Sequence, residues 1–264
     1  MNVLALCAGG GGLDLGLRLA VPEARAVAYV EREAFAAAHL AAAMEAGALD
    51  VAPIWADLRT FDARPWRDVV DCITAGYPCT PFSVAGRVKS REDERHLWPH
   101  VQRCIRECQP AVVLLENVPN HLRHGFADVA SGLQALGYAV ASTLWTAAEV
   151  GAPHKRERLF ILAAHPQRIG LRKLEQWGQA GRDHVQARGK AELALDGTPG
   201  AMAGRDASWW STERGLGRVA SGLANRVDRL RMLGNGVVPL QACRAFQELC
   251  RSVEMVPAQS TKGR

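Results

Sequence analysis

Short apolar runs alternate with helix-like stretches along the first 165 residues. VLALCA from Val3, AVAYVE from Ala26, DCITAGY from Asp71, AVVLLENV from Ala111, YAVASTLW from Tyr138 and RLFILAA from Arg158 read as buried strands. They are continuously apolar, as strands covered on both faces are. Helical spacing falls between them, over 13–20, 34–46, 97–108 and 126–136. This alternation predicts an α/β protein built on a doubly wound, mostly parallel sheet. Ligands of such sheets sit beyond the carboxyl ends of the strands, so the chemistry should follow each apolar run. The alternation stops near His165. Residues 166–221 are rich in Gly, Arg and Gln with no strong period. A last helix is expected over 241–253, after a Gly-Asn-Gly turn and Pro239, and a disordered tail over 257–264.

Composition narrows the class. With 264 residues, 48% hydrophobic and 22% charged, the chain can bury a full core and is neither fibrous nor wholly disordered. The length suits one large domain with a small appendage. No apolar stretch approaches the ~18 residues of a membrane span. The start, MNVLALCAGGGG, lacks a secretory signature. Seven cysteines in no paired framework suggest reduced thiols and a cytoplasmic location.

The turn Ala8-Gly9-Gly10-Gly11-Gly12 joins the first strand to a helix near Leu13 and aims free amides at a ligand. Its spacing misses the dinucleotide fingerprint, because the sixth position from Gly9 is Asp14 and from Gly10 is Leu15. A nicotinamide cofactor is therefore disfavoured. Glu31 ends the second run, where an acid can hold two ribose hydroxyls, and Asp57 follows further on. Together they suit a nucleoside cofactor lacking a pyrophosphate. A plain glycine turn beside two solvated acids explains the same letters.

Three further clusters follow strand ends. Pro78-Cys79-Thr80 places a cysteine behind a proline that fixes the backbone, a position suited to a nucleophile if positive charge or helix amides lower its pKa. A small buried hydrophobe is the alternative. Glu116-Asn117-Val118 closes the fourth run, and a carboxyl there should have a raised pKa, as a proton donor to a weakly basic ring nitrogen requires. It could equally cap a helix. Arg156 and Arg158 would share one face of the next strand, holding a substrate carbonyl, a phosphate or Glu116, unless they form a solvated edge. Cys104 and Cys108 have no second ligand pair, and no metal site is expected.

In this order, over all but 166–221, these motifs resemble the DNA cytosine-5 methyltransferases. The resemblance implies a Rossmann-like fold using S-adenosylmethionine, with domains at 1–165 for catalysis and cofactor, 166–221 for target recognition and 222–264 returning to the catalytic domain. It places Ala8, Gly9, Gly10, Gly11, Gly12 and Leu13 around the methionine part of the cofactor, Glu31 at the ribose, and Asp57 with Leu58 at the adenine. Pro78 and Val237 would line the cofactor side, and Asn235 would brace that side or the catalytic loop. Cys79 would be the nucleophile, Glu116 the acid and Arg158 a contact to the target base, with Asn117 and Arg156 completing the catalytic set. Residues 84–98 match a mobile loop that closes over DNA, and the last helix would pack beside the first strand. Cys7 stands where the family usually has Phe, Arg32 where an aromatic is frequent, Thr80 and His154 where Gln is usual. These departures imply either weaker stacking on the cofactor or stacking by Arg32 instead.

The implied partner is double-stranded DNA, met by a monomer, with a restriction endonuclease as a separate companion. The alternatives are a tRNA cytosine-5 methyltransferase, whose Cys-Phe-Thr signature is absent from this sequence, and a non-catalytic DNA-binding module. Charge supports a nucleic-acid partner locally. Residues 151–190 hold nine Lys+Arg and three acids, a net +6 against +5 for the whole chain. Trp177, Trp209 and Trp210 also fall in the 166–221 segment.

Overall fold

The computed structural model describes residues 1–78, 97–170, 172–179, 232 and 234–254. Cys79, Thr80, residues 84–96, all of the 166–221 segment beyond 179, and the tail lie outside the described residues. Chain order gives β1 (Asn2–Leu6), α1 (Gly12–Ala20), β2 (Arg25–Val30), α2 (Ala34–Glu45), β3 (Ile54–Trp55) and β4 (Cys72–Ala75). Then come α3 (Trp98–Cys108), β5 (Val112–Asn117), α4 (Phe126–Ala135), β6 (Ala139–Thr146), β7 (Glu157–Ala164) and α5 (Pro239–Glu254).

The sheet order is β3-β2-β1-β4-β5-β7-β6. All pairs are parallel except those made by β7, which runs antiparallel to β5 and β6. Only ten residues separate β6 from β7, too few for the helical crossover that a parallel neighbour needs. The expected sheet thus holds, with its one reversed strand explained by loop length.

Alternate side chains of each central strand feed opposite layers. Val3, Cys72, Leu114 and Phe160 pack under α1 and α5. Leu4, Ile73, Val113 and Ile161 pack on the other face with α3 residues Val101 and Ile105 and α4 residues Val129 and Leu133. Helix α2 joins the α1 side through Leu40, against Ala5 and Tyr29. The last helix does not lie beside β1 as expected. It packs on α1 and crosses β6 and β7, where Glu248 accepts from Thr143 Oγ1 and Trp145 Nε1.

Two sequence-level placements change. Trp98, put in the mobile loop, begins α3 and is buried against Tyr77, with ring centroids 5.7 Å apart. Trp177, counted in the recognition segment, is buried against Phe246 of α5 and donates to Glu23 at 3.2 Å.

The α1–α5 seam depends on Gly16. A Cβ there would sit 2.5 Å from the Pro239 carbonyl and 2.6 Å from Ala242 Cβ. Both are backbone or near-backbone atoms that cannot swing aside. Gly16→Val should therefore destabilise the fold by about 1–3 kcal/mol, read as a lowered midpoint in urea unfolding. A midpoint equal to wild type would show that the seam has slack.

Candidate active site

The carboxyl ends of β1, β2, β4 and β5 open onto one cleft of about 370 Å³, within the ~300–1,000 Å³ range of small-molecule sites. Its floor is the turn after β1. Gly9 and Gly11 have φ of 55° and 76°, left-handed values that favour glycine. Glu31, at the end of β2, is buried and holds this turn: Oε2 accepts from the Gly9 amide and Oε1 from the Glu33 amide, each at 2.7 Å. Asp57 lies across the cleft. The Arg59 amide and guanidinium donate to it and hold its carboxyl below the usual range.

Of the residues expected at a cofactor, Ala8, Gly9, Gly10, Gly12, Leu13, Glu31, Arg32, Asp57, Leu58, Pro78, Asn235 and Val237 all line this cleft. Gly11 does not. It faces the core, where a Cβ would meet Leu49 Cδ1 at 2.7 Å. Cys7 also lines the cleft with φ 49°, and burial pushes its thiol up to about 12, so it stays neutral.

The reaction end centres on Glu116, in the same cleft. It is 6% exposed. Burial pushes its carboxyl up to about 7, against the opposing pull of Arg158 and Arg156. Arg158 Nε lies 2.9 Å from Oε1. The reversal of β7 permits this pairing, because it pairs Asn117 with Leu159 and Glu116 with Phe160 and so brings Arg158 to the strand end that carries Glu116.

Asn117 does not face the cleft. Its buried amide donates to the Tyr77 carbonyl at 3.1 Å, and its oxygen accepts from the Val118 amide at 2.9 Å. It therefore ties the end of β5 to the residue before Pro78. Tyr77 in turn shares a hydrogen bond with His121 at 3.1 Å. Arg156 also departs from its expected place: its guanidinium donates to the carbonyls of Gly234, at 2.8 Å, and Gly236. Cys79, next to the cleft-lining Pro78, lies outside the described residues.

Sequence reasoning missed Phe35, the one aromatic lining the cleft among the described residues. Its signal was a lone aromatic in an alanine-rich helix, four residues past Glu31. It also missed the buried Asp14–Thr74 hydrogen bond of 2.5 Å, where burial pushes the Asp14 carboxyl up to about 6. No sequence pattern marks that pair. Among the described residues no cluster suits a metal ion, and no helix is long and apolar enough to cross a membrane.

Comparison with known proteins places the chain in a family. The profile of the C-5 cytosine-specific DNA methylase family matches residues 1–184. Type II methyltransferase M.NgoMIV of Neisseria gonorrhoeae is 32% identical over 164 residues, covering 61% of this chain and 50% of that protein. Type II methyltransferase M.HhaI of Haemophilus parahaemolyticus is 35% identical over 97 residues, covering 35% of this chain and 30% of that protein. A prophage-encoded DNA modification methyltransferase of E. coli superposes with a TM-score of 0.51 at 27% identity, covering 63% of this chain and 47% of that one. The matches thus span about half, or less, of these relatives' length.

Proposed function

Because the chain belongs to the C-5 cytosine-specific DNA methylase family, we propose that it methylates carbon 5 of a cytosine flipped out of double-stranded DNA, using S-adenosylmethionine and a covalent bond to Cys79. The observation that carries this reading is one cleft holding both a nucleoside-type cradle, Gly9 with Glu31 and Asp57, and a buried carboxyl pushed up to about 7.

The cradle fits the cofactor. The Glu31 carboxylate is fixed by two backbone amides and keeps lone pairs for ribose hydroxyls. Asp57 offers an acceptor for an adenine amino group, with Leu58 and Phe35 as apolar walls. When bound, S-adenosylmethionine supplies an electrophilic methyl carbon on a sulfonium.

Carbon 5 of cytosine is a poor nucleophile, and the protein's residues change that. The Cys79 thiolate adds to carbon 6, the electron pair of the 5,6 double bond forms a 4,5 double bond, and the 3,4 pair moves onto ring nitrogen 3. Glu116 donates its proton to ring nitrogen 3, so no full negative charge develops and carbon 5 becomes enamine-like. Arg158 stabilises the carboxylate that Glu116 leaves behind. After methyl transfer re-forms the 3,4 double bond, the nitrogen 3 proton returns to the Glu116 carboxylate, a general base removes the carbon 5 proton, and that electron pair re-forms the 5,6 double bond and expels Cys79 as thiolate. The base must first leave the duplex, at a cost of a few kcal/mol. No step calls for a metal. We assign the basic 166–221 segment to reading DNA, and place the protein in the cytoplasm as a monomer within or outside a restriction pair.

Expression in a methylation-free host followed by bisulfite sequencing tests the reading. Modified cytosines in a fixed sequence context are expected. Unmodified DNA with folded, cofactor-binding protein would point to RNA or to a non-catalytic role. A second test isolates the cradle. Glu31→Ala removes both the ribose acceptor and the clamp on Gly9, so calorimetry should show S-adenosylhomocysteine binding about 10–100-fold weaker. Unchanged affinity would remove Glu31 from the cofactor site.

A further inference from the structure

Arg156 and Arg158 are two residues apart, yet their guanidinium groups serve opposite ends of the cleft. Arg158 pairs with Glu116. Arg156, just before β7, has φ 29°, which a non-glycine residue adopts only where its surroundings hold it there. Its Nη2 donates to the carbonyls of Gly234 and Gly236. Its own carbonyl accepts from Nε2 of fully buried Gln241 at 3.0 Å, in the first turn of α5. Arg156 is therefore bonded in both directions to the segment that enters α5.

That segment forms one wall of the cleft. Met232, Asn235, Gly236 and Val237 line it. The Val237 carbonyl lies against Gly12, and the Met232 side chain lies 3.8 Å from where a Gly10 Cβ would be. The wall thus closes on the glycine turn from a part of the chain more than 200 residues away.

We infer that Arg156 is a positioning residue for the cofactor, holding the Gly234–Gly236 turn against the glycine loop, and not a contact to the target base. This rests on the cleft being the cofactor site. Since β7 also carries Arg158, one short stretch of backbone joins the cofactor wall to the acid that protonates the base. Seating the cofactor would then also fix the strand end that holds Glu116 in place.

The test uses the full chain with Arg156→Gln, Arg156→Lys and Arg158→Gln. Loss of a charged donor to two carbonyls should weaken S-adenosylhomocysteine binding about 10–100-fold in Arg156→Gln. The KM for cofactor should rise in parallel, while kcat at saturating cofactor stays within about threefold. Arg156→Lys, which keeps the charge but not the two-carbonyl fork, should fall between wild type and Gln. Arg158→Gln should do the reverse, lowering kcat with cofactor affinity near normal. Wild-type cofactor affinity in Arg156→Gln would overturn the inference, as would a kcat loss without a change in affinity. If Arg156→Gln does not fold, as judged by circular dichroism, Arg156→Lys decides on the same readouts. A wild-type protein that fails to bind S-adenosylhomocysteine would refute the cofactor reading itself, and is told apart by that control.

Discussion

Replacing Cys79 with serine should abolish methyl transfer, by on the order of a thousandfold or more, while S-adenosylhomocysteine affinity stays within about threefold of wild type. The two readouts separate because the nucleophile and the cradle rest on different elements. Cys79 follows Pro78 after β4, whereas the proposed cradle is built from the β1 turn, Glu31 at the end of β2 and Asp57. A serine hydroxyl is far harder to ionise than a thiol, so attack on carbon 6 stalls although the ring is held as before. Methylation of a labelled cytosine-containing duplex measures the first quantity and calorimetry the second. A serine variant keeping a tenth of wild-type activity would end the nucleophile assignment.

Glu116→Gln should lower kcat/KM by about 10²–10⁴-fold, the usual range for losing a positioned general acid. The pH profile carries the sharper signature. Burial raises the Glu116 carboxyl to about 7, so its proton is present below that pH and lost above it. Because the protonated form is the donor, wild-type kcat/KM should fall as pH rises through about 7. The Gln variant should lack that limb. Arg158→Gln removes the cation that favours the carboxylate, so it should move the limb to higher pH. A wild-type limb at the ordinary carboxyl pKa, near 4–5, would mean that water reaches Glu116 and that burial does not tune it.

Much of this arrangement was legible in the letters because it obeys local rules. Continuous apolar runs marked six of the seven strands, and Glu31 and Glu116 fell at strand ends where the sheet places ligands. The missed strand, β3, is two residues long and follows Pro53, too short to show a period. Reversal of β7 was hidden in the spacing rather than the pattern, since no helix fits between Thr146 and Glu157. The side-chain directions that differed were set by contacts remote in sequence. Arg156 turns toward Gly234 and Gly236 because φ 29° takes it out of strand geometry, and alternation cannot foresee that. Gly11 is indistinguishable from its neighbours as a letter, yet it alone of the four faces Leu40 and Leu49. Trp177 looked like a nucleic-acid contact by composition, but Phe246 of α5 packs on its ring and Glu23 accepts from its indole N–H.

The seam between α1 and α5 also sets a schedule for biosynthesis. Val237, which covers Gly12, leaves the ribosome 225 residues after it. At about 5–20 residues per second that interval is on the order of ten seconds or more. Throughout it, the nascent sheet exposes the apolar face of α1 and has no wall on that side of its cleft. Ligand affinity and freedom from aggregation are therefore acquired together, when α5 docks.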